Sequence, residues 1–75
     1  MNELNVKKDN FKRLAEARVT KAIKAIQNIS YLSNKRNYDF DHNDSKKIIK
    51  ALRDEVKAVE DAFAKVEKEV SKFKL

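Results

Sequence analysis

The sequence predicts an all-α protein: an antiparallel two-helix hairpin, with helices over about residues 10–33 and 42–73, that pairs with a second copy as a homodimeric four-helix bundle. Two stretches with apolar residues at helical spacing predict the helices, and a polar stretch between them predicts the turn. The length of 75 residues predicts the pairing, because one hairpin of that size buries too little apolar surface to offset the entropy of ordering it. Residues 1–75 are thus interpreted as one helical-hairpin domain with a short polar N-terminal tail over residues 1–9.

The first predicted helix has one broad apolar side. At about 100° per residue its apolar residues fall within roughly half of a helical wheel, which is typical of an amphipathic helix. These residues are Phe11, Leu14, Ala15, Val19, Ala22, Ile23, Ala25, Ile26, Ile29 and Leu32. We expect the helix to end near Ser33 or Asn34, because asparagine tolerates the left-handed conformation that a C-cap needs when glycine is absent.

The second predicted helix carries a regular apolar seam. Its apolar residues alternate at spacings of three and four, the pattern of a coiled coil, and they are candidate positions for both the core and the dimer contact. The seam consists of Ile49, Leu52, Val56, Val59, Phe63, Val66, Val70 and Phe73. Asp41 and Asp44 have the spacing of an N-cap and its capping-box partner, so this helix should begin just after Asp41.

The segment between the helices contains neither glycine nor proline. Asparagine is expected to take the place of glycine in this turn, and Tyr38 and Phe40 are expected to turn inward and plug the end of the hairpin. The alternative is that these two aromatic side chains form a patch that binds a partner.

The composition narrows the classes of protein that the chain can belong to. It contains no cysteine, which excludes disulfides and thiolate metal sites and favours a reducing, cytoplasmic setting. It has no apolar run of the length needed for a signal peptide or a membrane span, so no membrane association is expected. The net charge of +6 favours acidic partners, although lysine-rich helices also serve solubility.

The acidic cluster before the second helix invites comparison with a calcium loop. Asp39, Asp41 and Asn43 match its first, third and fifth positions. However, Asp44 stands where the loop needs glycine, and Lys50 stands where it needs glutamate. We therefore interpret the cluster as a helix cap and expect no metal.

Catalysis is not predicted. His42 is the single histidine, and neither a zinc site nor a general base can be completed from the aspartates beside it. The chain lacks the cysteine nucleophile, the glycine-rich phosphate loop and the nucleophile elbow of common enzymes. We expect no enzyme activity and no cofactor.

One polar surface is a candidate site for nucleic acid or a protein partner. Cations with interspersed amide and aromatic groups suit phosphate contacts and stacking. This basic stripe comprises Arg13, Lys21, Lys24, Asn28, Tyr31, Lys35 and Arg36. The alternative is a solvated, lysine-rich face. The outer face of the second helix instead mixes charges in a way that predicts weak i,i+4 ion pairs, and it contains Lys50, Asp54, Lys57, Asp61, Lys65 and Lys68.

Several short motifs follow one another over residues 18–55. They are carried by Arg18, Val19, Lys21, Ala22, Ile23, Lys24, Ile26, Leu32, Ser33, Asn34, Asn37, Tyr38, Lys47, Ile48, Ala51 and Leu52. In this pattern the chain resembles a family of short bacterial and phage helical-hairpin proteins with a Leu-Ser-Asn-x-x-Asn-Tyr linker. It departs from that family at Ser30-Tyr31, where Gly-Asn is usual, and at Asp41, where a hydroxyl cap is usual. The resemblance implies the hairpin and a bacterial or phage origin, and it implies no activity and no site residue.

Two functions stay open on the sequence alone. The first is a small, non-enzymatic, homodimeric interaction protein that docks on a larger protein or nucleoprotein partner. The second is a nucleic-acid-binding module that uses the basic stripe.

Overall fold

The computed structural model describes the backbone of residues 3–71 and the side chains of residues 3–67. It contains a first long helix, α1 (Glu3–Ser30), a 3-10 turn (Tyr31–Ser33) and a second long helix, α2 (His42–Ser71). Residues 3–71 include no β-strand, so the predicted all-α class is confirmed. The chain divides into two units between Asp39 and Phe40, and each unit contains one of the two helices.

The predicted start of the first helix is wrong, because α1 begins at Glu3, seven residues before the expected start near Asn10. Residues 3–9, which were assigned to a polar tail, are helical. Two features explain the longer helix. Glu3 places an acid in the first turn, where it suits the positive end of the helix dipole. Leu4 lies seven residues before Phe11 and extends the apolar stripe by two further turns.

The end of α1 differs from the prediction in its mechanism. The helix tightens into the 3-10 turn, and Asn34 follows with φ −74° and ψ 101°, an extended conformation. No residue in the described part of the chain has a positive φ, so the expected left-handed cap is wrong. Asn34 acts through its side chain instead: its Oδ1 accepts a hydrogen bond from the backbone N–H of Arg36 at 3.0 Å. The carbonyl of Asn34 also accepts from the N–H groups of Asn37 (3.1 Å) and Tyr38 (3.0 Å).

Asparagine therefore replaces glycine in this turn by hydrogen bonding. A side-chain oxygen that accepts from the N–H two residues ahead imitates one turn of backbone and needs no left-handed residue. The prediction that an asparagine forms this turn is correct. The predicted mechanism, a left-handed backbone conformation, is wrong, because Asn34 acts through its side-chain hydrogen bond.

The start of α2 confirms the predicted capping box. The Asp44 N–H donates to Asp41 Oδ1 at 2.8 Å, and the Asp41 N–H donates to Asp44 Oδ2 at 3.0 Å. The Asp41 carbonyl accepts the first helical hydrogen bond, from the Ser45 N–H at 3.2 Å. Two N–H groups that a helix start leaves without helical acceptors are thus satisfied reciprocally, and the carboxylates suit the helix dipole.

The described side chains of each unit leave its apolar residues accessible to solvent. Among the side chains of residues 3–67, none is buried. Leu14, Ala15 and Ile29 on α1 and Leu52 on α2 are half-buried, as are Phe40 and Ser45 around the start of α2. Both apolar stripes are therefore largely open to solvent, and an isolated helix with an open stripe is marginally stable in water.

Candidate functional site

The basic stripe begins as a line along one side of α1. Arg13, Lys21, Lys24 and Asn28 are exposed, and at about 100° per residue they fall within one sector of the helix. From the first to the last they span about 22 Å at ~1.5 Å per residue. Within the described residues, the side chains of Arg13, Lys21 and Lys24 form no ion pair. This part of the stripe offers three exposed cations whose charges are not engaged in an ion pair with another described residue.

The rest of the basic stripe lies beyond the end of α1. Tyr31 opens the 3-10 turn, and one step of about 120° from Ser30 keeps it in the same sector as the helical part of the stripe. Its side chain is 70% exposed. Lys35 and Arg36 lie in the turn that Asn34 organises and are exposed. The stripe is therefore a helical segment of three cations and an amide, followed by a turn that carries an aromatic ring and two more cations.

The apolar seam of α2 runs without interruption through the residues whose side chains are described. Apart from the half-buried Leu52, its members are about half exposed or more: Ile49 47%, Val56 61%, Val59 56%, Phe63 53% and Val66 58%. From Ile49 to Val66 the seam is about 26 Å long at ~1.5 Å per residue. The Val70 side chain and Phe73 lie outside the described residues. An open apolar strip of this length on a charged helix is typical of a protein–protein contact.

The outer face of α2 carries the predicted i,i+4 ion pairs. Lys50 Nζ lies 2.8 Å from Asp54 Oδ2, and Lys57 Nζ lies 2.7 Å from Asp61 Oδ1. The hydrogen bond to Asp54 raises the pKa of the Lys50 ammonium above its ordinary value, and the negative charge of that carboxylate adds to the effect. All four side chains are well exposed, so each pair stabilises the helix only weakly.

A second charged feature of α2 was missed in the sequence. One flank of the seam carries Lys46, Arg53, Glu60 and Glu67 at intervals of seven residues, and all four are exposed. We call this set the polarised flank, because its basic half precedes its acidic half along the chain. The heptad spacing was the signal that could have found it, since positions beside a coiled-coil seam commonly carry charges. Within the described residues, Lys46, Arg53 and Glu60 form no ion pair.

The apolar stripe of α1 also contains a charge that the sequence pattern had obscured. Arg18 lies seven residues after Phe11 and seven before Ala25, so it shares their side of the helix. Its side chain is exposed. The stripe of α1 is thus divided by a guanidinium, whereas the seam of α2 is not divided.

Three further features of the sequence were compared with the structure: the acidic cluster, the apolarity of the helices and the linker aromatics. The residues that the structure describes include no group of three or more His, Asp or Glu side chains placed to hold a metal. Over the same residues, neither helix combines the length and apolarity needed to cross a membrane.

Of the linker aromatics, Tyr38 is 48% exposed and Phe40 is half-buried.

Comparison with known proteins adds no relative: no protein-family model, curated protein or solved structure matches the chain. Two surfaces of the chain itself therefore carry the functional argument. The apolar seam with its polarised flank lies on α2, and the basic stripe lies on α1 and the turn that follows it.

Proposed function

We propose that the protein is a small, non-enzymatic interaction protein of the cytoplasm, which forms a homodimer and docks on a larger protein or nucleoprotein partner. In this proposal α1 and α2 fold back as an antiparallel hairpin, and two hairpins form a four-helix bundle. The resemblance of residues 18–55 to short bacterial and phage helical-hairpin proteins supports the hairpin. The observation that carries the proposal is the uninterrupted, solvent-exposed seam of α2.

The energetics favour covering this seam. A large aliphatic or aromatic side chain contributes about 1.5–3 kcal/mol when it is fully buried, and side chains that stay half exposed realise only part of that. The seam side chains from Ile49 to Val66 are half exposed or nearly so, which leaves much of this stabilisation to be gained on association. A helical hairpin without a buried core of its own commonly gains it by oligomerisation.

The homodimer is tested by measuring mass by light scattering after size exclusion over a range of protein concentrations. We expect the natural chain to be dimeric, and Phe63→Gln to shift it toward the monomer, because the change places an amide in the centre of the seam. Lys65→Gln is the matched control, since it introduces the same side chain two residues away on the outer face. A folded natural chain that stays monomeric at every concentration would refute the homodimer.

In this proposal docking on a larger partner uses surfaces that the bundle leaves open. The helical part of the basic stripe lies outside the apolar side of α1, with Lys24 well away from it and Lys21 at its margin, seven residues after Leu14, so covering the apolar side leaves Lys24 exposed and Lys21 at the edge of the contact. A pull-down from host lysate, performed with and without nuclease treatment, separates the two kinds of partner. A protein retained after nuclease treatment and lost in Lys21→Glu/Lys24→Glu indicates a direct protein contact. Loss of every bound protein on nuclease treatment indicates that nucleic acid bridges the contact.

The second candidate function is direct binding of nucleic acid. The observation that favours it is the set of exposed cations Arg13, Lys21 and Lys24 on α1, which form no ion pair among the described residues, followed by the exposed ring of Tyr31. Cations neutralise phosphates, and an exposed aromatic ring can stack on an unpaired base. Binding would be independent of base sequence, because no described group is arranged to read base edges.

Salt dependence tests this second function. Each phosphate contact adds about 0.9 to the slope of log affinity against log salt for duplex DNA. Lys21→Glu/Lys24→Glu should flatten the slope and weaken binding to all sequences alike. The control is Lys47→Glu/Lys65→Glu on the outer face of α2, which makes the same change in net charge, from +6 to +6 − 4 = +2. If both double variants bind equally weakly, the basic stripe is a solubility feature.

A further inference from the structure

The polarised flank of α2 is complementary to itself. Lys46 and Arg53 lie in the first half of the helix, and Glu60 and Glu67 lie in the second half, all on the same side of the seam. When two copies of such a helix run in opposite directions, the basic half of each meets the acidic half of the other. Charges beside a coiled-coil seam set the choice and orientation of the partner helix in this way.

We propose that the seam of α2 binds the seam of α2 in a second copy in antiparallel orientation, about a two-fold axis that passes between Lys57 and Ala58. The inference rests on the proposed homodimer and adds its orientation and register. In this arrangement Lys46 faces the partner's Glu67, and Arg53 faces the partner's Glu60. The two-fold axis repeats both contacts on the other side of the dimer.

The same register matches the apolar layers. Leu52 packs against the partner's Phe63, and Val56 packs against the partner's Val59. On each side of the axis two small β-branched side chains thus meet in the first layer, and a large ring is paired with an aliphatic side chain in the next. The overlap covers nearly the whole of α2, from Asp44 to Ser71, so little of the helix is left unpaired.

An open groove runs along one side of the proposed contact. It is lined by Lys46, Ile49, Lys50, Arg53 and Asp54, so it lies between the seam and the ion-paired outer face of α2. In the proposed register Ile49 meets the partner's Val66, and the basic half of the flank beside it faces the acidic half of the partner's flank.

Other arrangements bring like charges together. In a parallel pair, Glu55 on the opposite flank lies beside the partner's Glu60. Sliding an antiparallel pair by one heptad places either Glu60 beside the partner's Glu60 or Arg53 beside the partner's Arg53. Exposed ion pairs add little affinity, so the apolar seam supplies the attraction, while the charges select orientation and register.

Charge reversal gives the first test, with the dimer dissociation constant measured by sedimentation equilibrium at low salt. Lys46→Glu/Arg53→Glu makes the flank wholly acidic and should weaken the dimer at least about tenfold, because like charges then meet. Adding Glu60→Lys/Glu67→Lys reverses the whole pattern, which is again self-complementary, and should restore the dimer. Failure of the fourfold variant to recover would overturn the antiparallel register.

Spin-label distances give the second test and do not depend on affinity. The chain has no cysteine, so Asn43→Cys and Ala58→Cys can each be labelled at one site. The proposed register separates the two Asn43 sites by about 43 Å along the helix at ~1.5 Å per residue, whereas the two Ala58 sites lie beside the axis. Short distances at both sites would show a parallel dimer: the proposed homodimer would stand and the antiparallel inference would fall. Absence of any dimer would refute both.

Discussion

α1 and α2 are nearly equal in length, at 28 and 30 residues, yet they use their charges differently. On α2 the seam is continuous through Val66, Lys50 and Lys57 on the outer face are paired with aspartates, and the flank is polarised. On α1 the apolar stripe is divided by Arg18, and Arg13, Lys21 and Lys24 form no ion pair among the described residues. A helix whose positive and negative charges balance each other is suited to packing against a second copy of itself. A helix with unbalanced cations suits contact with a different, acidic molecule.

The largest expected effect concerns the apolar residues. It tests whether the seam of α2 contributes more to stability than the apolar stripe of α1. Phe63→Ala should destabilise the assembled protein by about 3–5 kcal/mol, because it removes a ring from the centre of the uninterrupted seam. Phe11→Ala is the counterpart on α1 and should cost clearly less, because Phe11 lies near the start of a divided stripe, whereas Phe63 is covered in the proposed dimer; within the single chain the two rings are similarly exposed, at 60% and 53%. Thermal unfolding followed by circular dichroism measures both. Equal losses would show that the two apolar surfaces contribute alike.

The next test concerns Tyr38 and Phe40, the aromatic residues of the segment between α1 and α2. Phe40→Ala should cost about 2–4 kcal/mol if its ring plugs the hairpin end, as large-to-small changes in a core do. Tyr38→Ala should cost less, since Tyr38 is 48% exposed while Phe40 is half-buried. The measurement is the melting temperature of each variant. An unchanged melting temperature together with loss of a bound partner would identify a binding patch instead of a plug.

The two helix starts should also respond differently. Asp41→Ala removes one arm of the capping box and should cost about 1 kcal/mol, typical for loss of an N-cap. Glu3→Ala at the start of α1 removes only a charge–dipole interaction and should cost a few tenths of a kcal/mol. Amide hydrogen exchange in the first turn of each helix reports the change locally. Asp41→Asn should recover most of the loss, because the amide oxygen also accepts the hydrogen bond from the Asp44 N–H.

The smallest effect concerns the outer face of α2. Asp54→Asn removes the group that raises the pKa of Lys50, so the folded protein should lose a small amount of stability at neutral pH and low salt. Because the folded pKa lies above the unfolded one, this contribution is complete below the unfolded pKa and disappears as the pH rises through the folded value. Melting curves of the natural chain and the variant should therefore converge in strong alkali. A difference that grew with pH would contradict the assignment.

The sequence predicted most of what depends on local pattern. The start of α2 at His42 and its capping box follow from the Asp41–Asp44 spacing, and the outer ion pairs follow from i,i+4 spacing. The early start of α1 was missed because residues 3–9 are mostly polar, and of their two apolar residues, Leu4 and Val6, only Leu4 continues the apolar stripe. The conformation of Asn34 was missed because asparagine can end a helix by two mechanisms, and composition does not choose between them.

The candidate surfaces were predictable to different degrees. The seam of α2 could be predicted from the spacing of the apolar residues alone. The polarised flank was overlooked because it is visible only when charges are read at heptad spacing rather than i,i+4 spacing. The basic stripe was predicted as one line, and the structure places its last members, Tyr31, Lys35 and Arg36, in the 3-10 turn and the segment that follows it.

Arg18 sets a limit on whatever covers the apolar side of α1. Its long stem can lie along apolar neighbours while its guanidinium reaches solvent, but a cover that closed over the whole side would strip water from a permanent charge. Such desolvation is tolerated only when the covering surface supplies a carboxylate or carbonyl oxygens at that point. Arg18 in the middle of the stripe therefore selects between partners. It disfavours binding of a uniformly apolar surface and allows binding of a surface that places a hydrogen-bond acceptor opposite the guanidinium.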